Sequence, residues 1–130
     1  MSRTTSLETS KLLKEAGFRQ DTYFSYGQLL HKDGYDIDTT EAWKDVIEPF
    51  TYAAPTTDEL LEELPYGLRD ERDDYWFQIQ KLKHGSYEVR YTNWKHEKVL
   101  WDANGIFQNE SLPEALAQMW LWLKKEGLIK

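Results

Sequence analysis

The chain has 130 residues, 30% of them charged and 15% aromatic, and its formal net charge at pH 7 is −7. This length predicts one domain over residues 1–130, and the absence of cysteine excludes disulfide bonds and thiolate-ligated zinc, as expected in a reducing cytoplasm. No apolar run approaches the roughly 20 residues of a membrane-spanning helix, and the first residues lack a signal-peptide core, so the predicted location is the cytoplasm.

The N-terminal part predicts a short helix followed by a strand. The helix covers residues 6 to 16, because Thr5 and Glu8 have the spacing of a capping box and Gly17 follows the last apolar position. Residues 22 to 31 are rich in aromatic side chains and end at a Lys-Asp-Gly turn signal. That composition and that turn predict a strand.

Two more helices are predicted in the middle of the chain. Apolar residues at helical spacing predict a short helix over residues 40 to 47, which a proline two residues later cannot continue. The next helix covers residues 57 to 64. Thr56 and Glu59 form a second capping box before it, and Pro65 ends it.

The pattern then changes to that of an antiparallel sheet. The charged residues 66 to 74 have no periodicity and predict a surface connection. Apolar and polar side chains alternate over residues 75 to 83 and 87 to 94, which predicts two strands. Between them a His-Gly pair predicts a two-residue hairpin loop. Val99 and Trp101 predict a third strand after residues 93 to 97.

The last predicted element is a helix over residues 111 to 126. Ser111 and Glu114 have capping-box spacing, two lysines occupy the final turn, and Gly127 stands where a helix commonly stops. Its apolar face consists of Leu112, Ala115, Leu116, Met119, Trp120 and Leu123, and Trp122 widens it. The two tryptophans, the methionine and the three leucines need extensive cover.

Together these elements predict an α+β fold. An antiparallel three- to four-stranded sheet, built from residues 75 to 107 with residues 22 to 31 as the candidate fourth strand, packs on the C-terminal helix. The two shorter helices over residues 6 to 16 and 57 to 64 are expected to cover the remaining apolar edges.

The sequence contains no pattern that predicts catalysis or cofactor binding. An EF-hand beginning at Asp36 would place Glu41 where the turn glycine belongs and Ile47 where the bidentate glutamate belongs. Hydrolase nucleophile and nucleotide-binding motifs are absent, as is any pair of histidines at metal-binding spacing. We therefore expect no metal and no cofactor.

Two tryptophans raise the possibility of a stacking platform. Trp76 and Trp94 fall on the polar phase of their strands, so they would be exposed together if that face met solvent. Burial under a second packed layer is the favoured interpretation, because large aromatic side chains are mostly buried.

Three segments resemble a group of small uncharacterised proteins encoded by bacteriophages and prophages, notably of gut bacteria. They are YAAPTTDELLEELP, SKLLKEAGF and EALAQMWLWLKKEGLI. Proteins of this group show an A-P-T-x-x-E-x-L-x-x-L-P stretch, aromatic strands and a terminal Trp-rich helix. The resemblance implies no activity, cofactor or binding residue.

The strongest functional indication is the charge of residues 32 to 74, which carry 14 acidic and 4 basic residues, a balance of −10. Such a segment repels nucleic-acid phosphate, so a nucleic-acid partner is not expected. It is either a solvated face or a docking surface for a basic protein. In the second case the candidate partner-binding residues are Asp70, Glu71, Asp73 and Asp74.

The sequence therefore favours a non-enzymatic accessory protein, of phage or prophage type, that binds a macromolecule through an acidic surface. The alternative is a small enzyme or ligand-binding module whose pocket is assembled from residues far apart in the chain.

Overall fold

The computed structural model describes residues 3–28, 34–44, 51–69, 73–93, 98–99 and 105–130. Within these ranges it contains four helices, α1 (Leu7–Glu15), α2 (Thr40–Trp43), α3 (Thr57–Glu63) and α4 (Leu112–Lys125). The strands are β1 (Phe24–Gly27), β2 (Asp36–Thr39), β3 (Thr51–Ala53), β4 (Gly67–Arg69), β5 (Asp74–Lys81), β6 (Tyr87–Asn93), β7 (Lys98–Val99) and β8 (Phe107–Asn109). The α+β class is confirmed. No helix in the described ranges combines the length and apolar character that crossing a membrane requires.

Two antiparallel sheets divide the strands between them. The larger sheet has the order β4-β5-β6-β7, and β8 pairs with the other end of β6 on the same side as β7. The smaller sheet has the order β2-β1-β3. The prediction that residues 22 to 31 extend the larger sheet is therefore wrong. Strand β1 pairs instead with β2 and β3, partners whose short, irregular sequences gave no strand signal.

The core lies between the larger sheet and the helices. One face of β5 and β6 is buried through Tyr75, Val89 and Tyr91, as the alternation predicts, and α4 covers it. Helix α4 also contacts α1, α3 and β8, so the C-terminal helix joins the elements around it into one apolar cluster.

The glycines that end the two long helices are in the conformation predicted from the sequence. Gly17 and Gly127 have φ angles of 91° and 72°, which glycine adopts more readily than other residues. In each case the next residue turns back onto the helix, because the Phe18 N–H donates to the Leu13 carbonyl and the Leu128 N–H to the Leu123 carbonyl, both at 2.9 Å.

Two of the three predicted capping boxes are wrong. Ser6, not Thr5, caps α1 by accepting a hydrogen bond from the Thr9 N–H. Ser111 caps α4, but the Glu114 carboxylate does not return to the cap residue and binds α1 instead. A carboxylate three residues beyond a cap can accept hydrogen bonds from the cap residue's own N–H or from a neighbouring element. Here the donors are at the beginning of α1.

The third capping box, at the start of α3, is confirmed. The Thr56 hydroxyl accepts from the Glu59 N–H at 3.4 Å, and the Glu59 carboxylate accepts from the Thr56 N–H at 2.9 Å. We expect Thr56→Ala to lower the free energy of unfolding by about 1 kcal/mol, because it removes the cap acceptor. The loss is measured by urea denaturation. Thr57→Ala, the same substitution one residue later, is the matched control. Equal losses in the two variants would contradict a specific role for the cap.

The hairpin loop between β5 and β6 has more residues than predicted. The Leu82 N–H donates to the Ser86 carbonyl at 2.7 Å, and the Gly85 N–H donates back to the Leu82 carbonyl at 3.0 Å. Gly85 has a φ of 86°. This pattern is a three-residue loop with a glycine bulge, so the prediction of a two-residue loop is wrong.

Candidate functional site

The feature of the described surface that most needs explanation is a pair of exposed aromatic rings. Tyr66 and Trp76 have relative exposures of 83% and 45%. Their ring centroids are 6.4 Å apart and the ring planes are inclined by only 13°, so the two rings are stacked nearly parallel, and we call this pair the platform. Large exposed aromatic side chains beside polar groups are typical of interaction sites.

The platform depends on the pairing of β4 with β5. Gly67 lies directly opposite Trp76 in this pairing. A Cβ atom on Gly67 would lie 3.2 Å from two carbon atoms of the indole, a tighter contact than most Cβ atoms make. Because Gly67 has no side chain, the indole of Trp76 can lie close to the Gly67 backbone.

A charged pair lies next to the platform. Arg69 is directly opposite Asp74 across the two strands, and its Nε donates to Asp74 Oδ1 at 2.8 Å. Asp74 and Trp76 are two residues apart on one strand and so point to the same face. Tyr75, between them, points into the core and is 5% exposed.

These residues line one open depression of about 240 Å³. We call it the β4–β5 surface and define it by Tyr66, Gly67, Arg69, Asp74 and Trp76. It offers two aromatic faces, one carboxylate and one guanidinium within a single hairpin. Chemically this set can bind a cation, through the ring faces and the carboxylate, and has no evident nucleophile or acid–base pair.

Of the predicted acidic cluster, the described residue that lines this surface is Asp74. Asp70 and Glu71 lie outside the described residues. Asp73 immediately precedes β5 and Asp74 is its first residue, with Arg69 as its partner. The expectation that residues 66 to 74 form an irregular connection is wrong for β4, because Gly67–Arg69 pairs with β5.

The favoured interpretation of Trp76 is also wrong, because its side chain is half exposed; Trp94 lies outside the described residues. Tyr66 is missing from the sequence-based candidates, since it falls in the segment predicted as a connection. The alternation that places Trp76 on the polar phase is the signal that points to this surface. Tyr66 becomes its neighbour only through the pairing of β4.

The other acidic residues that the structure describes in the middle segment lie on several separate elements. Glu59 is used in the α3 cap and also accepts from the Tyr23 N–H at 2.8 Å. Glu62 and Glu63 pair with Arg19 at 3.3 and 2.8 Å. Asp36 and Asp38 lie on β2, in the smaller sheet.

Among the described residues, no group of three or more histidine, aspartate or glutamate side chains is placed to hold a metal ion.

Two further depressions have a different character. One lies between α1 and α4 and measures about 450 Å³; its lining residues are Leu12, Glu15, Ala16, Leu121, Lys124 and Lys125. The other, beside Trp43, measures about 160 Å³. The Trp43 indole N–H donates to the Ser25 carbonyl at 2.9 Å, and Gln20 accepts from the Ala53 N–H at 2.9 Å. The polar groups at Trp43 therefore serve to hold the small sheet.

Two tyrosines have perturbed ionisation, and neither lines one of these depressions: Tyr91 belongs to the core, and Tyr26 is half-buried on β1 of the smaller sheet. Burial raises the pKa of Tyr26 and, more strongly, the pKa of Tyr91. The Tyr26 hydroxyl donates to the Thr5 carbonyl at 2.9 Å, and the Tyr91 hydroxyl donates to the Pro65 carbonyl. Each remains a protonated hydrogen-bond donor at neutral pH and fixes one segment of backbone.

The comparisons with known proteins add nothing to this description. Protein-family models, curated proteins and solved structures all give no match to the chain.

Proposed function

We propose that the protein is a non-enzymatic binding protein that recognises a basic segment of a partner protein through the β4–β5 surface. The observation that carries the proposal is the exposed, stacked pair of Tyr66 and Trp76 beside the Asp74 carboxylate. The partner's cationic side chain lies against the rings and its charge lies near the carboxylate.

The physical chemistry of the surface suits this partner. A cation over an aromatic face gains about 0.5–1 kcal/mol at an exposed site and about 2 kcal/mol or more when water is excluded. Trp and Tyr are also among the residues that contribute most at protein interfaces, because they bury a large area with few rotatable bonds. A neutral or acidic partner would lose the contribution of the cation over the rings.

The overall charge acts over a longer range. The balance of −10 over residues 32 to 74 attracts a basic protein before contact and repels nucleic acid. Attraction of this kind weakens as salt shortens the Debye length from about 10 Å at 0.1 M to about 3 Å at 1 M. The spread of the described acidic residues over β2, α3 and β5 suits such steering better than a single docking patch.

The biological setting is also part of the proposal. The three segments that resemble phage and prophage proteins support an accessory role, in which the partner is a basic protein of the host or the phage. The absence of cysteine supports action in the reducing cytoplasm.

The test is a binding measurement with defined probes. A fluorescein-labelled nonapeptide of alternating arginine and glycine is titrated with the protein and followed by anisotropy; a glycine-serine peptide of equal length is the neutral probe. We expect Trp76→Ala to weaken binding of the arginine peptide about tenfold, because removing an interface hot spot costs more than about 1 kcal/mol.

Tyr23→Ala is the matched control, since Tyr23 is 63% exposed but lies outside the β4–β5 surface. Its affinity for the peptide should equal that of the wild type. Equal affinities of Trp76→Ala and wild type, or equal binding of the neutral and basic peptides, would overturn the proposal. Tighter binding of a labelled DNA duplex than of the peptide would replace it with a nucleic-acid function.

A further inference from the structure

We propose that the partner residue bound at the β4–β5 surface is an arginine, and that it takes the place of Arg69 on Asp74. This inference rests on the proposed function and adds to it the identity of the recognised side chain and a mechanism of internal competition.

The first step is that the surface already holds a guanidinium group. Arg69 Nε lies 2.8 Å from Asp74 Oδ1, within hydrogen-bonding distance. The same depression contains the Tyr66 and Trp76 rings. The protein's own side chain therefore shows that a guanidinium fits against this carboxylate beside an aromatic face.

The second step is that Arg69 is held weakly. Its side chain is 79% exposed and that of Asp74 is 51% exposed. Ion pairs between exposed side chains contribute little, because water screens the charges and two long side chains lose freedom. Strand β4 has only three residues and pairs with β5 on one side within the described sheet. Arg69 can rotate into solvent without disturbing that pairing.

The third step is the choice of arginine over lysine. A guanidinium is planar, so it can stack on the indole of Trp76 while its N–H groups donate to the Asp74 carboxylate. The lysine ammonium is a compact and strongly hydrated charge that does not stack. An incoming arginine gains the stacking contact, which Arg69 does not make in the structure, and so displaces Arg69 from the carboxylate.

The experiment compares two peptides on four proteins. The peptides are labelled nonapeptides of alternating glycine with either arginine or lysine. The proteins are the wild type, Arg69→Gln, Asp74→Asn and Lys44→Gln. Lys44 is the matched control for Arg69, because it forms an exposed ion pair with Glu41 at 3.0 Å in another part of the chain. Circular dichroism confirms that each variant is folded.

We expect Arg69→Gln to bind the arginine peptide about three- to fivefold more tightly than the wild type, the range expected when a weak exposed competitor is removed. Lys44→Gln should change the affinity less than twofold, although both variants lose one positive charge. Asp74→Asn should weaken binding about tenfold, and the wild type should bind the lysine peptide at least about fivefold more weakly than the arginine peptide.

Equal gains in Arg69→Gln and Lys44→Gln would show a net-charge effect and overturn the internal competition. Equal affinities for the two peptides would overturn the preference for arginine. Either result leaves the proposed function in place if binding still depends on Trp76. Failure of the wild type to bind either peptide would overturn the proposed function itself.

Discussion

Replacing Trp120 with alanine is expected to lower the free energy of unfolding by about 3–5 kcal/mol, the range typical of large-to-small changes at buried aromatic residues. Trp120 is 5% exposed and lies in the middle of α4. Its ring meets Phe18 edge to face, with centroids 5.0 Å apart and an interplanar angle of 79°. Alanine would leave a cavity where Phe18, three residues beyond the end of α1, packs on α4.

The measurement is urea denaturation followed by far-UV circular dichroism, which does not depend on the tryptophan removed. Trp76→Ala is the matched control, since it deletes the same side chain at a half-exposed position, and we expect a loss of about 1 kcal/mol or less. An unchanged midpoint in Trp120→Ala, or equal shifts in the two variants, would contradict the central position of Trp120 in the core.

Replacing Glu114 with alanine is expected to cost about 1.5–3 kcal/mol, the range for hydrogen bonds to a charged group. The Glu114 carboxylate joins α4 to the beginning of α1. Its Oε2 accepts from the Thr9 hydroxyl at 2.6 Å, and its Oε1 accepts from the Ser6 N–H. Thr9 is buried, so the substitution leaves a buried hydroxyl without its charged acceptor.

Glu110→Ala is the control for this prediction, because Glu110 is an exposed glutamate just before the same helix. Its effect should stay within about 0.5 kcal/mol. Glu114→Gln retains one acceptor oxygen and should lie between the two. Equal urea midpoints for Glu114→Ala and Glu110→Ala would show that the link between α1 and α4 contributes nothing to stability.

The prediction for Glu114 shows where local patterns become ambiguous. Ser111 and Glu114 have the same spacing as Thr56 and Glu59, yet only the second pair forms a capping box. The Glu114 carboxylate accepts from donors 105 and 108 residues away in the chain. A sequence pattern describes the local alternative, while the better alternative here is a neighbouring helix that only the folded chain brings close.

The sequence by itself determined the features that depend on neighbouring residues. Gly17 and Gly127 end their helices, Thr56 and Glu59 begin α3, and alternation places Val89 and Tyr91 in the core. These features are local because helix ends and strand periodicity are set within a few residues. They were sufficient to predict the α+β class.

Only the tertiary structure decided which strands pair and which side chains share a surface. Strand β1 lies in a separate sheet with β2 and β3, and the short strand β4 joins the larger sheet. The register of β4 against β5 places Gly67 opposite Trp76 and Arg69 opposite Asp74. Register depends on pairing between segments, and three residues are too few to show a period, so the β4–β5 surface could not be derived from the sequence.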